Sequence, residues 1–403
     1  MRRLAPLLLL AGVLAGCGGS KSVPTKTFLI VVNAPFSQSS YIGETIARGA
    51  SLATLPLKGS EESPPYNFKV QRLDNALSAA QSVRNVRRAV SEHAGVILTD
   101  GTGLDASWRI AAAANIPICI TFDGGGGLVD PEKRPNVFRI APTDHGMAFR
   151  LAEYLIPKYM KIGLLHDDSE YGREGASALR QAFRENPSAV AIREVLPTGN
   201  ADLTPEVLRA RRAGATALIV WAGPATIANV VIAARSNGWK VPVFTPASGE
   251  NPLLRQQLAD HRDWITGVTF AAGRMTSEIG PAPFLNFQRA YVATYGRQLV
   301  GVKTRAGRPV SQPPDYAMYA YDFIRVVAQA LIPAGGPGAK LIEQLNQVDV
   351  RGANGDERGF NVYSHEGVVD DDVYFARFTP DFTFVPVEND PLSATLPTID
   401  QTH

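Results

Sequence analysis

Hydrophobic and polar positions alternate between two periods along most of the chain. Short β-branched, apolar runs of strand type occur at Thr27–Val32, Asn67–Leu73, Val96–Leu98 and Ile116–Thr121. Between them, Ile42–Leu55, Ala76–His93 and Ala106–Ala114 carry apolar residues at helical spacing. Alternation of this kind predicts a parallel sheet with helices on both faces. Asn136–Pro142 reads as an extended connector, and then the pattern starts again. Helices are expected at Asp144–Tyr159, Gly172–Phe183, Pro205–Ala213 and Ala225–Asn237, and strands at Ile162–His166, Ala189–Val195, Ala217–Trp221 and Val241–Thr245. The fold class is therefore α/β, with two successive doubly wound units.

Beyond Gly267–Phe270, three helical stretches follow: Phe284–Tyr295, Asp315–Ile332 and Ala339–Gln347. Arg297–Pro314, rich in Gly, Pro and Arg, reads as a loop or insertion. Phe360–Gly367 and Val373–Phe378 read as strands, and the polar, Pro-rich tail from Glu388 to His403 as disordered.

The stretch Gly95–Ala106 concentrates the candidate chemistry. An apolar strand ends in Asp100-Gly101-Thr102-Gly103, and Asp105 is expected to cap the helix that follows. A Gly-rich turn feeding a helix N-terminus points N–H groups at whatever lies above it, which suits a carboxylate or a phosphate. Two readings compete here. Gly101-Thr-Gly103-Leu-Asp-Ala106 fits the dinucleotide pattern G-x-G-x-x-A, and Asp123 lies 20 residues beyond Gly103, near where an acid would hold a ribose. The other reading is the floor of a cleft for a small solute. The position favours the solute, because this turn follows the third strand and the dinucleotide fingerprint normally occupies the first βα turn.

The N-terminus sets the compartment. Arg2 and Arg3 precede an apolar run, Leu4–Leu14, that ends in Leu14-Ala-Gly-Cys17, the form of a secretory signal too short to span a bilayer. Leu-Ala-Gly-Cys resembles the lipobox of bacterial lipoproteins, which implies cleavage before Cys17, a diacylglyceryl thioether on its sulfur and a tether over residues 17–26. The expected location is the cell envelope, on the extracytoplasmic side of a bacterial membrane.

The 403 residues are 45% hydrophobic and 19% charged, an ordinary globular composition with room for two cores. Loss of residues 1–16 removes two of the 40 basic residues, leaving 38 against 38 acidic ones. A near-neutral chain without a basic stripe argues against nucleic acid. With Cys17 lipidated, Cys119 stands alone in an apolar run and reads as a buried small hydrophobe.

The two units start alike. The first has Ser40-Tyr41-Ile-Gly43-Glu44 after its opening strand, the second Ser169-Glu-Tyr171-Gly172-Arg-Glu174. Ligands of doubly wound sheets sit at the carboxyl ends of the strands, so two facing lobes would clamp a solute between two tyrosines.

From Thr27 to about Pro386 the chain resembles the type I periplasmic solute-binding proteins of the branched-chain amino acid (leucine/isoleucine/valine) ABC transporter group. The residues that carry the likeness are Tyr41-Ile-Gly43-Glu44, Val137-Phe-Arg-Ile-Ala-Pro142-Thr-Asp144, His166-Asp-Asp-Ser-Glu-Tyr171-Gly172, Pro314-Asp-Tyr-Ala-Met-Tyr-Ala320-Tyr321-Asp322 and Gly359-Phe-Asn-Val-Tyr-Ser-His-Glu-Gly367. The resemblance implies two lobes joined by three crossovers, expected near Pro142, Ala271 and Arg351. Residues 27–141 and 272–350 would form the first lobe, 142–271 and 351–387 the second. It also implies hinge closure on a small-molecule ligand, delivery to a membrane permease, a monomer and no catalysis.

The family's site maps residue by residue. Its carboxylate-binding loops correspond to Thr102-Gly103 and Asp123-Gly124-Gly125, and the run Gly124–Gly127 could turn several N–H groups on an anion. Tyr171 matches the second-lobe tyrosine that packs on the ligand, and Tyr41 and Trp221 fall on loops expected to line the cleft. One departure stands out. The family's amino acid binders hold the α-ammonium with an acid after the strand that here is Val241–Thr245, where loop counting puts Ser248, with Glu250 two residues on. Glu250, Asp123 or Asp167 would have to supply the charge, or the ligand is not an amino acid. A sensor or partner-binding lipoprotein on the same fold is the alternative function.

Other chemistry lacks its residues. The sequence has no G-x-S-x-G elbow, Walker loop or H-E-x-x-H, and its six histidines never fall at ligand spacing, so neither metal nor cofactor is expected. Asp370-Asp-Asp372 reads as a solvated turn.

Overall fold

The computed structural model of the chain describes residues 26–57, 64–199, 202–273, 275, 283–369, 372–396 and 399–402. The signal, Cys17 and the tether up to residue 25 lie outside the described residues. The chain opens with β1 (Lys26–Ala34), α1 (Ser40–Thr54), β2 (Tyr66–Asp74), α2 (Ala79–Ser91), β3 (Val96–Thr99), α3 (Leu104–Ala113), β4 (Ile118–Ile120) and β5 (Val137–Arg139). Five parallel strands in the order β2-β1-β3-β4-β5 make the first sheet. β3, β4 and β5 are buried at every position, as strands covered on both faces must be. Asn136–Pro142 is thus more than a connector, since its centre is the edge strand of this sheet.

The second unit runs α4 (Asp144–Leu155), β6 (Ile162–Asp167), α5 (Glu170–Ala182), β7 (Val190–Leu196), α6 (Thr204–Arg212), β8 (Ala217–Trp221), α7 (Pro224–Ser236), β9 (Val243–Thr245), α8 (Pro252–Gln257) and β10 (Val268–Gly273). Next come α9 (Pro283–Tyr295), the hairpin β11 (Gln298–Lys303) and β12 (Pro309–Gln312), α10 (Ala317–Ala334), α11 (Ala339–Leu345) and the hairpin β13 (Asp349–Arg351) and β14 (Glu357–Gly359). β15 (Val373–Phe378) and β16 (Phe384–Pro386) then join β10 antiparallel at one side of a seven-stranded sheet, β16-β15-β10-β9-β8-β6-β7.

The returning helix α10 packs on α1 of the first unit. Gly49 permits the contact: a Cβ there would stand 2.1 Å from the carbonyl oxygen of Ala317. The first unit is thereby completed by late sequence, and the chain passes between the units three times.

Several expectations need correction. Arg297–Pro314 is largely the β11–β12 hairpin. The third passage comes later than Arg351, because β13 and β14 still pack on α10. Phe360–Gly367 is not a strand: it is irregular chain held on the first sheet, with Phe360 and His365 against the ring of Phe138 at 4.9 and 4.1 Å and His365 O accepting from Arg139 N at 2.9 Å. Arg358 marks the real passage. Fully buried, it reaches Asp322 on α10 at 3.5 Å and Asp372, just before β15, at 2.8 Å. Asp372 is accordingly a buried partner, not part of a solvated turn.

Helix starts also shift. Positive φ at Ala76 and Leu77 delays α2 until Ser78 can cap it. Gly103, left-handed at φ +70°, stands at the N-cap of α3, so Asp105 lies in the first turn instead of capping it. The described part of the tail is packed, not disordered. Gln401 exchanges two hydrogen bonds with the backbone of Phe384, at 2.9 and 2.7 Å. Asp390, 2% exposed, pairs with Arg150 of α4 at 2.8 Å and accepts the Ser393 N–H at 3.0 Å.

Removing one partner of a buried pair leaves an uncompensated charge. Asp390→Ala is expected to destabilise the protein by about 3 kcal/mol, read as a lower urea midpoint. A change within about 0.5 kcal/mol, the ordinary surface range, would mean the tail is not part of the fold.

Candidate ligand cleft between the lobes

The carboxyl ends of β3 and β4 on one lobe meet the start of α4 and α5 on the other. Asp100 follows β3, 6% exposed, and its carboxylate accepts from Asn75 Nδ2 at 2.7 Å and from the Thr102 hydroxyl at 2.5 Å. Burial pushes its pKa up to about 6. Gly101, at φ +117°, makes the turn, and Asp123 after β4 packs directly over it.

Asp123 does not face an anion. One of its oxygens accepts the Gly125 N–H at 2.8 Å, and its backbone N–H goes to Asp100 O at 2.9 Å. Gly124 O accepts from Asp144 N at 2.9 Å. Of the glycine N–H groups expected to converge on a ligand carboxylate, that of Gly125 is thus already taken by Asp123. Acids crowd them instead: a Cβ on Gly124 would stand 2.6 Å from Asp144 Oδ1, and one on Gly125 2.7 Å from Glu174 Oε2. Thr143 caps α4 by accepting from Gly146 N at 2.9 Å, which sets Asp144 in the first turn. Ser169 does the same for α5, bringing Tyr171 and Glu174 to the cleft.

Burial, then the charges of Asp123 and Glu174, push Asp144 up to about 8. Burial and Asp123 push Glu174 up to about 7. Arg139 supplies the nearby positive charge, but Glu366 takes its Nε and Nη2 at 2.7 and 2.6 Å, and the carbonyls of Asp123 and Gly125 take Nη1 at 3.2 and 2.8 Å.

In the second lobe Tyr171 donates to Ser248 Oγ at 3.4 Å, and Ser248 donates to Ala222 O at 2.7 Å. Trp221 is not on a loop. It ends β8 fully buried, 6.2 Å from the Tyr171 ring, where a Cβ on Gly175 would strike it. Its role is to support α5 from below. Asp167 is likewise structural, accepting from Ser169 and, at 3.0 Å, from Gly223 N.

Tyr41 opens α1 half-buried, near Glu250, Asp315 and Arg255. Glu250, 1% exposed, accepts from Gln312 Nε2 at 2.9 Å. Burial and the neighbouring Asp315 push its pKa well up, and burial lifts Asp315 to about 6, so the pair shares a proton. Asp100, Asp144, Glu174 and Asp315 were not singled out from sequence. Thr143-Asp144 reads as an ordinary helix start, and nothing local says that two lobes bring these acids together.

Residues 41–382 match the family described as periplasmic binding protein. The chain belongs to that family. Its members bind solutes and are not enzymes. A Leu/Ile/Val-binding protein homolog 8 of Brucella abortus (strain 2308) is 26% identical over 275 residues, covering 64% of this chain and 67% of that protein. Among solved structures, a periplasmic binding protein type 1 from Bordetella pertussis superposes with a TM-score of 0.77 at 18% identity, over 90% of this chain and 100% of that one. A branched-chain amino acid transporter substrate-binding protein from Streptococcus pneumoniae, in complex with isoleucine, gives 0.74 at 18% identity, over 90% and 99%. A solute-binding protein from Rhodopseudomonas palustris, in complex with 3,4-dihydroxybenzoic acid, gives 0.70 at 19%, over 91% and 99%. The fold is that of the type I periplasmic binding proteins. Among the described residues, no helix is long and apolar enough to cross a membrane.

An acid whose folded pKa is raised stabilises the fold below its unfolded pKa and loses that contribution as pH rises through the folded value. Asp144 and Glu174 thus weaken the ligand-free protein between about pH 4 and 8. Asp144→Asn is expected to raise the ligand-free Tm at pH 8 and leave it nearly unchanged at pH 4.5. An equal shift at both pH values would assign Asp144 to packing instead.

Proposed function

We propose that the chain is a lipid-anchored, extracytoplasmic solute-binding protein that captures a small polar ligand between its lobes and delivers it to an ABC importer permease. The observation that carries this reading is the cleft. Buried polar groups of both lobes confront one another there, and both oxygens of Asp144 lack any hydrogen-bond partner. Such groups are costly to bury unless something pairs with them. Family membership supports solute binding, and the fold's relatives in complex with isoleucine and 3,4-dihydroxybenzoic acid support a ligand of that size. Leu-Ala-Gly-Cys17 supports the anchor. Thr102, Gly103, Asp123, Gly124, Gly125, Tyr171 and Ser248 line the cleft in this reading, with Tyr41 and Glu250 toward the hinge.

Closure follows from mass action. A ligand that binds the closed form stabilises it by about 2.7 kcal/mol at 100 times its dissociation constant. Thermal-shift screening of ligand-free protein against amino acids, amines, amides and short organic acids is expected to give a clear hit. Tyr171→Ala should weaken that hit about tenfold or more without changing the denaturant m-value, since half-buried Tyr171 packs at the cleft. A complete screen without a hit would sink solute import. Unchanged affinity in Tyr171→Ala would move the ligand elsewhere.

A further inference from the structure

Building on that solute-binding reading, we infer that the ligand carries an ammonium or guanidinium group, held between the lobes by Asp144 together with Asp123 and Glu174. Asp144 is 2% exposed, its two oxygens have no partner, and its carboxylate lies against Gly124. A Cβ on the next residue, Gly125, would stand 2.7 Å from Glu174 Oε2 and 3.2 Å from Asp123 Oδ1. Three carboxyl groups, one from the first lobe and two from the second, therefore border the same two glycines. Arg139 is the nearby positive charge, but its hydrogen bonds go to Glu366 and two carbonyls and none reaches the three acids. A cation placed among them satisfies Asp144 and ties the lobes together in one step.

The hydroxyls agree. Thr102 gives its proton to Asp100, Ser248 to Ala222 O and Tyr171 to Ser248. Each presents lone pairs, not a proton, to anything bound beside it. Acceptors are what a group with several N–H donors needs, whereas a ligand carboxylate in this corner would be one more negative charge. A metal ion fits less well: among the described residues, no group of three or more His, Cys, Asp or Glu could hold one.

The test is isothermal calorimetry on the full chain in detergent, with 1,4-diaminobutane and L-arginine as cationic probes and 4-methylpentanoate and 3,4-dihydroxybenzoate, which carry no cation, as controls. At pH 8 a cationic probe is expected to bind at least tenfold more tightly than either control. Asp144→Asn should weaken it at least 30-fold and Glu174→Gln at least tenfold. Glu174 is the more exposed of the two, so its variant remains informative if Asp144→Asn fails to fold. Binding should release protons, seen as heats that depend on buffer ionisation. Affinity should fall from pH 8 to pH 5 as Asp144 and Glu174 protonate, with Arg139 and Tyr171, the other groups facing Asp144, unchanged in charge. Binding of 4-methylpentanoate or dihydroxybenzoate while neither cation binds would overturn the inference and leave solute binding intact. Cation binding unaltered by both variants, or binding of calcium or magnesium abolished by Asp144→Asn, would also overturn it. No binding of any probe would overturn both readings.

Discussion

Two consecutive glycines let the lobes approach at backbone distance, and the side chains that meet there are acids. Everything at the cleft follows from that contact. Gly124 must lack a Cβ because Asp144 N and the carbonyl of Pro142 come within 2.7 and 2.8 Å of where it would stand. At Gly125 a Cβ would stand 2.7 Å from Oε2 of Glu174, the end of a flexible side chain that reaches across to it. The surrounding fold carries like charges so close together: Arg139 pairs with Glu366 beside them, Arg358 with its two aspartates ties α10 to the chain before β15, and α10 lies on α1. The cleft itself contributes repulsion.

The alternation of strands and helices was legible because each sheet is covered on both faces and its strands are short apolar runs. The doubly wound class, the two units and Cys119 as a buried residue came from that pattern alone. The long-range features were not legible. Phe360–Gly367 has a strand's composition, but its apolar residues dock on Phe138 instead of extending a sheet. Arg297–Pro314 has a loop's composition, yet Val300, Val302 and Val310 bury one face of a hairpin. The tail looked disordered because its anchor, Arg150, lies 240 residues away from Asp390. Local composition carries no trace of a partner at that distance.

The candidate site divides in the same way. Tyr171, Thr102 and the glycines were found because βα turns at the carboxyl ends of strands are where such sheets bind ligands. A glycine run after a strand suggests N–H groups free for an anion, and only the folded chain shows Asp123 accepting that of Gly125 and Asp144 and Glu174 lying against Gly124 and Gly125. Trp221 was misplaced because an aromatic at a strand end can face the cleft or the core, and the pleat turned it inward under α5.

The missing acid after β9 can now be placed in the same argument. The family resemblance expects a carboxylate there for an ammonium, and this chain has Ser248, whose proton is committed to Ala222 O. Glu250 does not replace it. Its side chain accepts from Gln312, and burial beside Asp315 pushes its pKa well up. The acids that meet where the lobes touch are Asp144, Asp123 and Glu174. Loss of one acid from the second lobe's loop is thus accompanied by a stronger acidic site where the lobes touch. Because that site draws on both lobes, a cation bound there favours closure by its charge as well as its shape.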